Sequence, residues 1–144
     1  MSHAREMLKA APTGVTLELA EVTAAIDACL DSDQACTSCA DSSLAEQDVL
    51  ELALCIALCE TCADFCAHTA RALSRPSHWD HAVVHRLLRA CVSTCASCAE
   101  ECERHADHHR HCAICAQVCR ACERACTALL QTEALQELEK LAGG

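Results

Sequence analysis

Residues 55–66 read CIALCETCADFC and carry four cysteines spaced four, three and four residues apart. At about 100° of rotation per residue, those four side chains fall within an arc of about 60° on one face of an α-helix. They occupy the a and d steps of a heptad-like seam. Metal-binding cysteine pairs more often sit on turns, as C-x2-C knuckles. The spacing here predicts a helix with a row of thiols down one side.

The pattern recurs. C-x3-C-x2-C-x3-C appears again at Cys91, Cys95, Cys98 and Cys102, and at Cys115, Cys119, Cys122 and Cys126. Cys112 extends the last run backward by three, and Cys29, Cys36 and Cys39 form a sparser version spaced seven and three. Glycine and proline are confined to Gly14, Gly143, Gly144, Pro12 and Pro76, and no segment alternates like a strand. The chain is therefore all-α. Four long helices are expected at about residues 16–43, 46–73, 80–105 and 111–130, with Ser77 and Asp80 as capping residues of the third. Two short helices are expected at about residues 3–10 and 133–141. Short connections make neighbouring helices antiparallel, so residues 1–144 read as one up-down four-helix bundle with its core at about 16–130.

Four such seams must face one another. The bundle axis is then lined with thiols over about 15–20 Å of each helix. Sixteen of the 144 residues are cysteine, whereas Phe65 and Trp79 are the only aromatics. Cysteine thus takes the place of the usual core residues, as a compact hydrophobe. Ala40, Ala63, Ala67, Ala96, Ala99, Ala113, Ala116 and Ala125 flank the seams and let the helices approach. Disulfides are disfavoured, because cysteines three or four apart on an intact helix bond only with strain. Neutral thiols would let the metal-free bundle fold, since no charge need be buried.

The formal net charge is −10, which argues against a nucleic-acid surface and against an anionic membrane. No apolar run is long enough to span a bilayer, and the first residues show neither an apolar leader nor twin arginines. A cytoplasmic location is expected, where cysteines stay reduced and serve metal binding or redox chemistry. Soft thiolates favour Cu(I), Zn(II) or iron–sulfur clusters. Zinc wants separated quartets and iron–sulfur motifs cluster on loops, whereas these rows are continuous. Cu(I) accepts two or three thiolates, thiolates bridge ions, and one Cu⁺ per S⁻ leaves no net charge inside. Multiple Cu(I) ions per chain are the leading reading; zinc or another soft ion, or a thiol redox module, is the alternative. No Glu-x-x-His occurs, which argues against a di-iron oxidase, and no catalysis is expected.

The cysteines sit off-centre, nearer the end that holds the loops at 44–46 and 106–110. At the other end Val22, Ile26, Leu73, Val84, Leu88 and Leu130 should form an apolar plug. The near end carries ECERHADHHRHC, residues 101–112. His105 lies one turn beyond Cys102, His109 seven residues beyond it, and His111 beside Cys112. His108, four before Cys112, is an alternative to His109. Asp48 lies seven before Cys55, on the inward face. Together these read as a mouth whose imidazoles accept an ion and pass it to thiolates. His3, His68, His78, His81 and His85 lie off the seams and read as surface residues. VLELALCIALC, residues 49–59, is apolar on nearly every face, so Leu50, Leu54 and Leu58 are expected to meet another subunit.

The repeated C-x3-C-x2-C-x3-C together with EC-x2-HA-x2-H-x-HC between Glu101 and Cys112 resembles the bacterial copper storage proteins, in particular their cytosolic branch. The resemblance spans about residues 16–130. It implies a four-helix bundle that holds many Cu(I) ions, with all sixteen cysteines as ligands and His105, His109 and His111 lining the open end. It also implies a homotetramer. Release of copper from so dense a site should be slow unless a competing small thiol or a chaperone enters the mouth.

Overall fold

Four helices carry the cysteines in the computed structural model, which describes residues 2–132 together with Leu135, Gln136, Lys140 and Leu141. A short α1 (Ala4–Ala10) precedes α2 (Leu19–Leu44), α3 (Ala53–Leu73), α4 (His81–His105) and α5 (Arg110–Leu130). Helix α2 packs on α3 and α5, and α4 packs on the same two, so α2 and α4 stand at opposite corners of a square. Neighbours run antiparallel. Cys29, early in α2, stands with Cys66, late in α3, while Cys39, late in α2, stands with Cys59. Among the described residues there is no strand.

The starts and stops have local causes. Asp80 caps α4, its carboxylate accepting from the backbone N–H groups of Ala82 and Val83 at 3.0 and 3.3 Å. That arrangement satisfies two of the donors that a helix start leaves unpaired. Helix α2 begins at Leu19 rather than near residue 16. Gly14 adopts φ +73°, a conformation that suits glycine, and the chain then bends at Thr16 and Leu17 into an extended Glu18, with Leu17 buried against the core. The second long helix also starts later than its apolar sequence suggests. Val49–Leu52 is a 3-10 turn, which buries Leu52 completely and leaves Glu46 and Asp48 on the preceding turn facing α5. Apolar residues carry no signal for such a break. The expected helix at 133–141 falls mostly outside the described residues; Leu135 within it is fully buried.

The end away from the 106–109 loop closes with hydrocarbon. Val22, Ile26, Leu73, Val84 and Leu88 are buried as expected, joined by Leu8 and Leu17. Leu129, not Leu130, completes the plug. The seam alternates steps of four and three, so after the step of four from Cys122 to Cys126 it continues three on, at Leu129, whereas a second step of four carries Leu130 toward the flank. His85 is also corrected: it is buried, at 9% exposure, because it follows Val84 on the side of α4 that turns into the bundle. Leu50 and Leu54 are exposed, at 89% and 56%, while Leu58 is half-buried against the core.

Candidate metal centre

All sixteen cysteines are thiols, and each is buried, with 0–1% of its surface exposed. The seam geometry explains this. Every step of three or four residues returns a side chain to the same helix face, and the square arrangement turns all four faces inward. Sulfur atoms from different helices approach to 3.4–3.9 Å, as in Cys36–Cys119 at 3.4 Å and Cys66–Cys95 at 3.6 Å. Among the described residues, lysine and arginine contribute nothing to the buried interior, whose polar members are Ser32, Ser43, Thr69, His85 and Glu101.

Thiol–thiol hydrogen bonds join the sulfurs along the axis in two stretches, which meet where Cys62 stands against Cys36 and Cys119. Toward the plug, Cys29, Cys62, Cys66, Cys91, Cys95, Cys122 and Cys126 are linked to one another. Toward the open end, Cys36, Cys59, Cys98, Cys102, Cys115 and Cys119 are linked, with Cys55 bonded to Cys102 and Cys39 to Cys112. Cys39 also converges with Cys59, Cys102 and Cys115. Beside that junction stands Ser32, fully buried, its hydroxyl 3.8 Å from Cys36, 3.8 Å from Cys62 and 3.6 Å from Cys119.

Hydrogen bonds between the thiols set the protonation of individual sulfurs, raising some and lowering others, while burial acts on all of them in one direction. Taking a thiolate out of water is costly, so the neutral form is favoured. Cys112 is pushed up to about 12 by burial and by its neighbour Cys39. Cys36 is pulled the other way, because the Cys115 thiol donates a hydrogen bond to it.

The open end carries a second constellation. His111 Nδ1 stands 3.4 Å from Cys39 Sγ and 3.6 Å from Cys112 Sγ, and its Nε2 meets Glu46 at 3.0 Å. His109 Nε2 meets Asp48 at 2.9 Å, and its ring lies 5.4 Å from that of His111. His105 Nε2 meets Glu101, itself buried, at 3.2 Å. Asp48 holds His109 above the ordinary imidazole range, and His109 in turn holds Asp48 below the usual carboxylate range. For His111, burial opposes the charged ring, but the hydrogen bonds to Cys39 and Glu46 outweigh it and raise it. His105 and His111 each have one nitrogen fixed by a carboxylate, the arrangement that sets tautomer and orientation in metal-ligating histidines, whereas His109 has both, its Nδ1 standing 3.3 Å from Glu46.

The sequence profile of the copper storage protein family matches residues 18–131. The chain belongs to the copper storage protein family. The copper storage protein Ccsp of Streptomyces lividans, in a structure loaded with 10 copper equivalents, is 41% identical with a TM-score of 0.87, covering 88% of this chain and 97% of that one. A second Streptomyces lividans structure, of the cytosolic copper storage protein with five coppers, is 46% identical with a TM-score of 0.76 over 76% of this chain and 92% of that one. Among curated proteins, the uncharacterized cysteine-rich protein YhjQ of Bacillus subtilis strain 168 is 33% identical, over 74% of this chain and 93% of its own length.

For a copper storage protein the sulfur geometry is apt. Taking a metal–thiolate bond of about 2.3 Å as the scale, three sulfurs around one ion stand about 4.0 Å apart. The spacings here already lie close to that, so Cu(I) can be gathered with little movement of the helices. Cys115 belongs both to the group Cys36, Cys98, Cys115, Cys119 and to the group Cys39, Cys59, Cys102, Cys115. Cys66 is likewise shared between Cys29, Cys66, Cys91, Cys122 and Cys62, Cys66, Cys95. Shared sulfurs suit bridging thiolates and rule out filling every group with its own four-coordinate ion.

Among the histidines, the structure brings His111 together with Cys39 and Cys112, sets His109 beside the His111 ring and against Asp48 and Glu46, and sets His105 against Glu101. His108 is exposed and takes no part. Asp48 reaches the mouth from the turn before α3, rather than from the helix itself. Four participants carried weaker signals. Ser32 fills the gap of seven between Cys29 and Cys36, three past one and four before the other. Ser43 continues the α2 seam four past Cys39 and is buried with its hydroxyl unpaired among the described residues. Glu46 and Glu101 required the fold to show what they face.

Proposed function

We propose that this copper storage protein holds Cu(I) on all sixteen cysteines, Cys29 to Cys126, with His105, His109 and His111 admitting ions at the open end. One observation carries the reading: the interior is a continuous body of shared, buried thiols without a balancing cation among the described residues. A monovalent ion on each thiolate cancels its charge. Four thiolates around one Zn(II) leave two negative charges buried, which is costly.

Copper is bound in the proposal as cargo and undergoes no chemistry there. Imidazole nitrogens at the mouth accept an ion from outside, and Cys39 and Cys112, within 3.6 Å of His111, take it inward. No helix among the described residues is long and apolar enough to cross a membrane, and a relative is described as cytosolic. We place the store in the cytosol, where a copper chaperone or a small thiol delivers and removes ions. Leu50 and Leu54, apolar and exposed, support self-association, and a homotetramer is the proposed state.

The test is anaerobic titration of the reduced protein with Cu(I) and, separately, Zn(II), each against a chromophoric chelator. Cu(I) should bind in about four-fold greater number if each zinc needs four thiolates. Tight zinc binding in equal number would favour the soft-metal buffer instead. A variant with His105, His109 and His111 all changed to alanine should keep the full copper count but fill more slowly, by several-fold. An unchanged filling rate would remove the mouth from the proposal.

A further inference from the structure

We propose that His109 Nδ1, His111 Nε2 and Glu46 Oε1 form a second metal site on the rim of the mouth, which takes a borderline divalent ion such as Zn(II) and, when filled, slows the entry of Cu(I). The control of entry rests on the copper reading above. The site stands on a convergence that the thiols do not explain. Two ring nitrogens from the start of α5 approach one and the same carboxylate oxygen, His111 Nε2 at 3.0 Å and His109 Nδ1 at 3.3 Å. Four-coordinate Zn(II), with bonds of about 2.0–2.2 Å, holds its ligand atoms about 3.3 Å apart, so an ion fits among the three with small shifts. The other ring nitrogen of His109, Nε2, meets Asp48 at 2.9 Å. A carboxylate behind a ligating imidazole fixes its ring and tautomer, so Asp48 is a positioning residue. Side-chain exposure is 10% for His109, 21% for His111 and 35% for Glu46, which leaves a fourth position open to water.

The donor set chooses the ion. Two imidazoles and a carboxylate suit zinc-like divalent ions, whereas Cu(I) is drawn to the sulfurs beneath. The formal net charge of −10 favours cations at this rim. His111 is the link to copper. Its Nδ1 stands 3.4 Å from Cys39 and 3.6 Å from Cys112, at the head of the thiol interior. A neutral imidazole has one lone pair and one N–H. With Nε2 on a rim ion, Nδ1 carries the proton and points it at the sulfurs. His111 then has no lone pair to lend an incoming Cu(I). Copper already inside stays in place, because Cu(I) accepts two thiolates and Cys39 and Cys112 supply them.

The test begins with protein filled anaerobically with Cu(I), so that the thiols are engaged and zinc is left the rim. Zn(II) is then added against a chromophoric zinc indicator. About one zinc ion per chain should bind, with no copper released to a Cu(I) chelator. Glu46→Gln and His109→Ala, each filled with copper to its own saturation, should weaken zinc binding by more than about tenfold. Asp48→Asn should weaken it by about tenfold, and Asp48→Glu should restore most of the loss. A kinetic arm follows the ultraviolet absorption of copper–thiolate bonds as metal-free protein takes Cu(I) from a chelator. Equimolar Zn(II) added with the copper should slow the unmodified protein several-fold and leave Glu46→Gln at its own zinc-free rate. No zinc on the filled protein, zinc that displaces copper, or zinc held equally by Glu46→Gln overturns the site. Slowing that persists in Glu46→Gln overturns the control of entry, since zinc lodged on the thiols would act in both proteins. Failure of the copper reading looks different: the filling step itself would take few Cu(I) ions, and the free thiols would then take zinc at about one ion per four sulfurs.

Discussion

Filled with Cu(I), the protein should survive heating that unfolds its metal-free form. The metal-free bundle is held by burial of its thiols and by the leucine-rich plug, and a domain of this kind is typically stable by about 5–15 kcal/mol. One ion bound to the folded state at a hundred times its dissociation constant adds about 2.7 kcal/mol. On the order of ten such ions would add tens of kcal/mol, more than the whole stability of the empty fold. The unfolded chain keeps its thiols and retains some copper, which reduces the gain. It lacks the convergence of four helices, however, so its sulfurs cannot bridge ions at comparable strength. At roughly 2–4 °C per kcal/mol for a chain of about this size, even a third of the sum raises the midpoint by more than about 20 °C. Circular dichroism melts of reduced, anaerobic samples with and without copper would check this. Equal midpoints would mean that copper does not bind inside the folded bundle.

Loading should also release protons, about one for each ion, and should tighten as pH rises. The ligand is the thiolate, while burial favours the neutral thiol, as at Cys112. Each ion must then displace a proton. The apparent affinity of each site changes by about tenfold per pH unit below the thiol pKa, and the product over all sites by about ten raised to the number of ions. Copper retention should collapse in mild acid. Adding Cu(I) to weakly buffered protein with an indicator dye measures the release directly. Copper uptake with no proton release would show that the ions rest on histidine or carboxylate. The empty protein should show the opposite sensitivity. A thiol whose folded pKa is raised stabilises the fold below the unfolded value and loses that contribution as pH rises. For Cys112 the window runs from the ordinary thiol value, 9.0, to about 12. The metal-free bundle should therefore weaken in alkali, where copper binds best.

The helical periodicity of the cysteines made the bundle legible. A spacing of three and four says helix and names the face, and four rows of thiols leave one economical way to bury them. The same reasoning found the polar end, because His105, His109 and His111 follow the register of Cys102 and Cys112. Boundaries were less legible. The 3-10 turn at Val49–Leu52 lies within an apolar run that carries no breaker, and the late start of α2 depends on Leu17 finding a place in the core. The choice of Leu129 over Leu130 and the burial of His85 turned on helix phase, to which a shift of one residue is decisive.

Residue spacing along a helix is local, so the chain's own order was enough to settle the all-helical class, the inward thiols and the soft-metal chemistry. Contacts between helices depend on how far each rod slides against its neighbours, and local spacing says nothing of that offset. Only the assembled bundle brought Ser32 between Cys62 and Cys119 and set Glu46 and Asp48 against His111 and His109. Those arrangements join residues dozens of positions apart, held by packing at the opposite faces of the same helices.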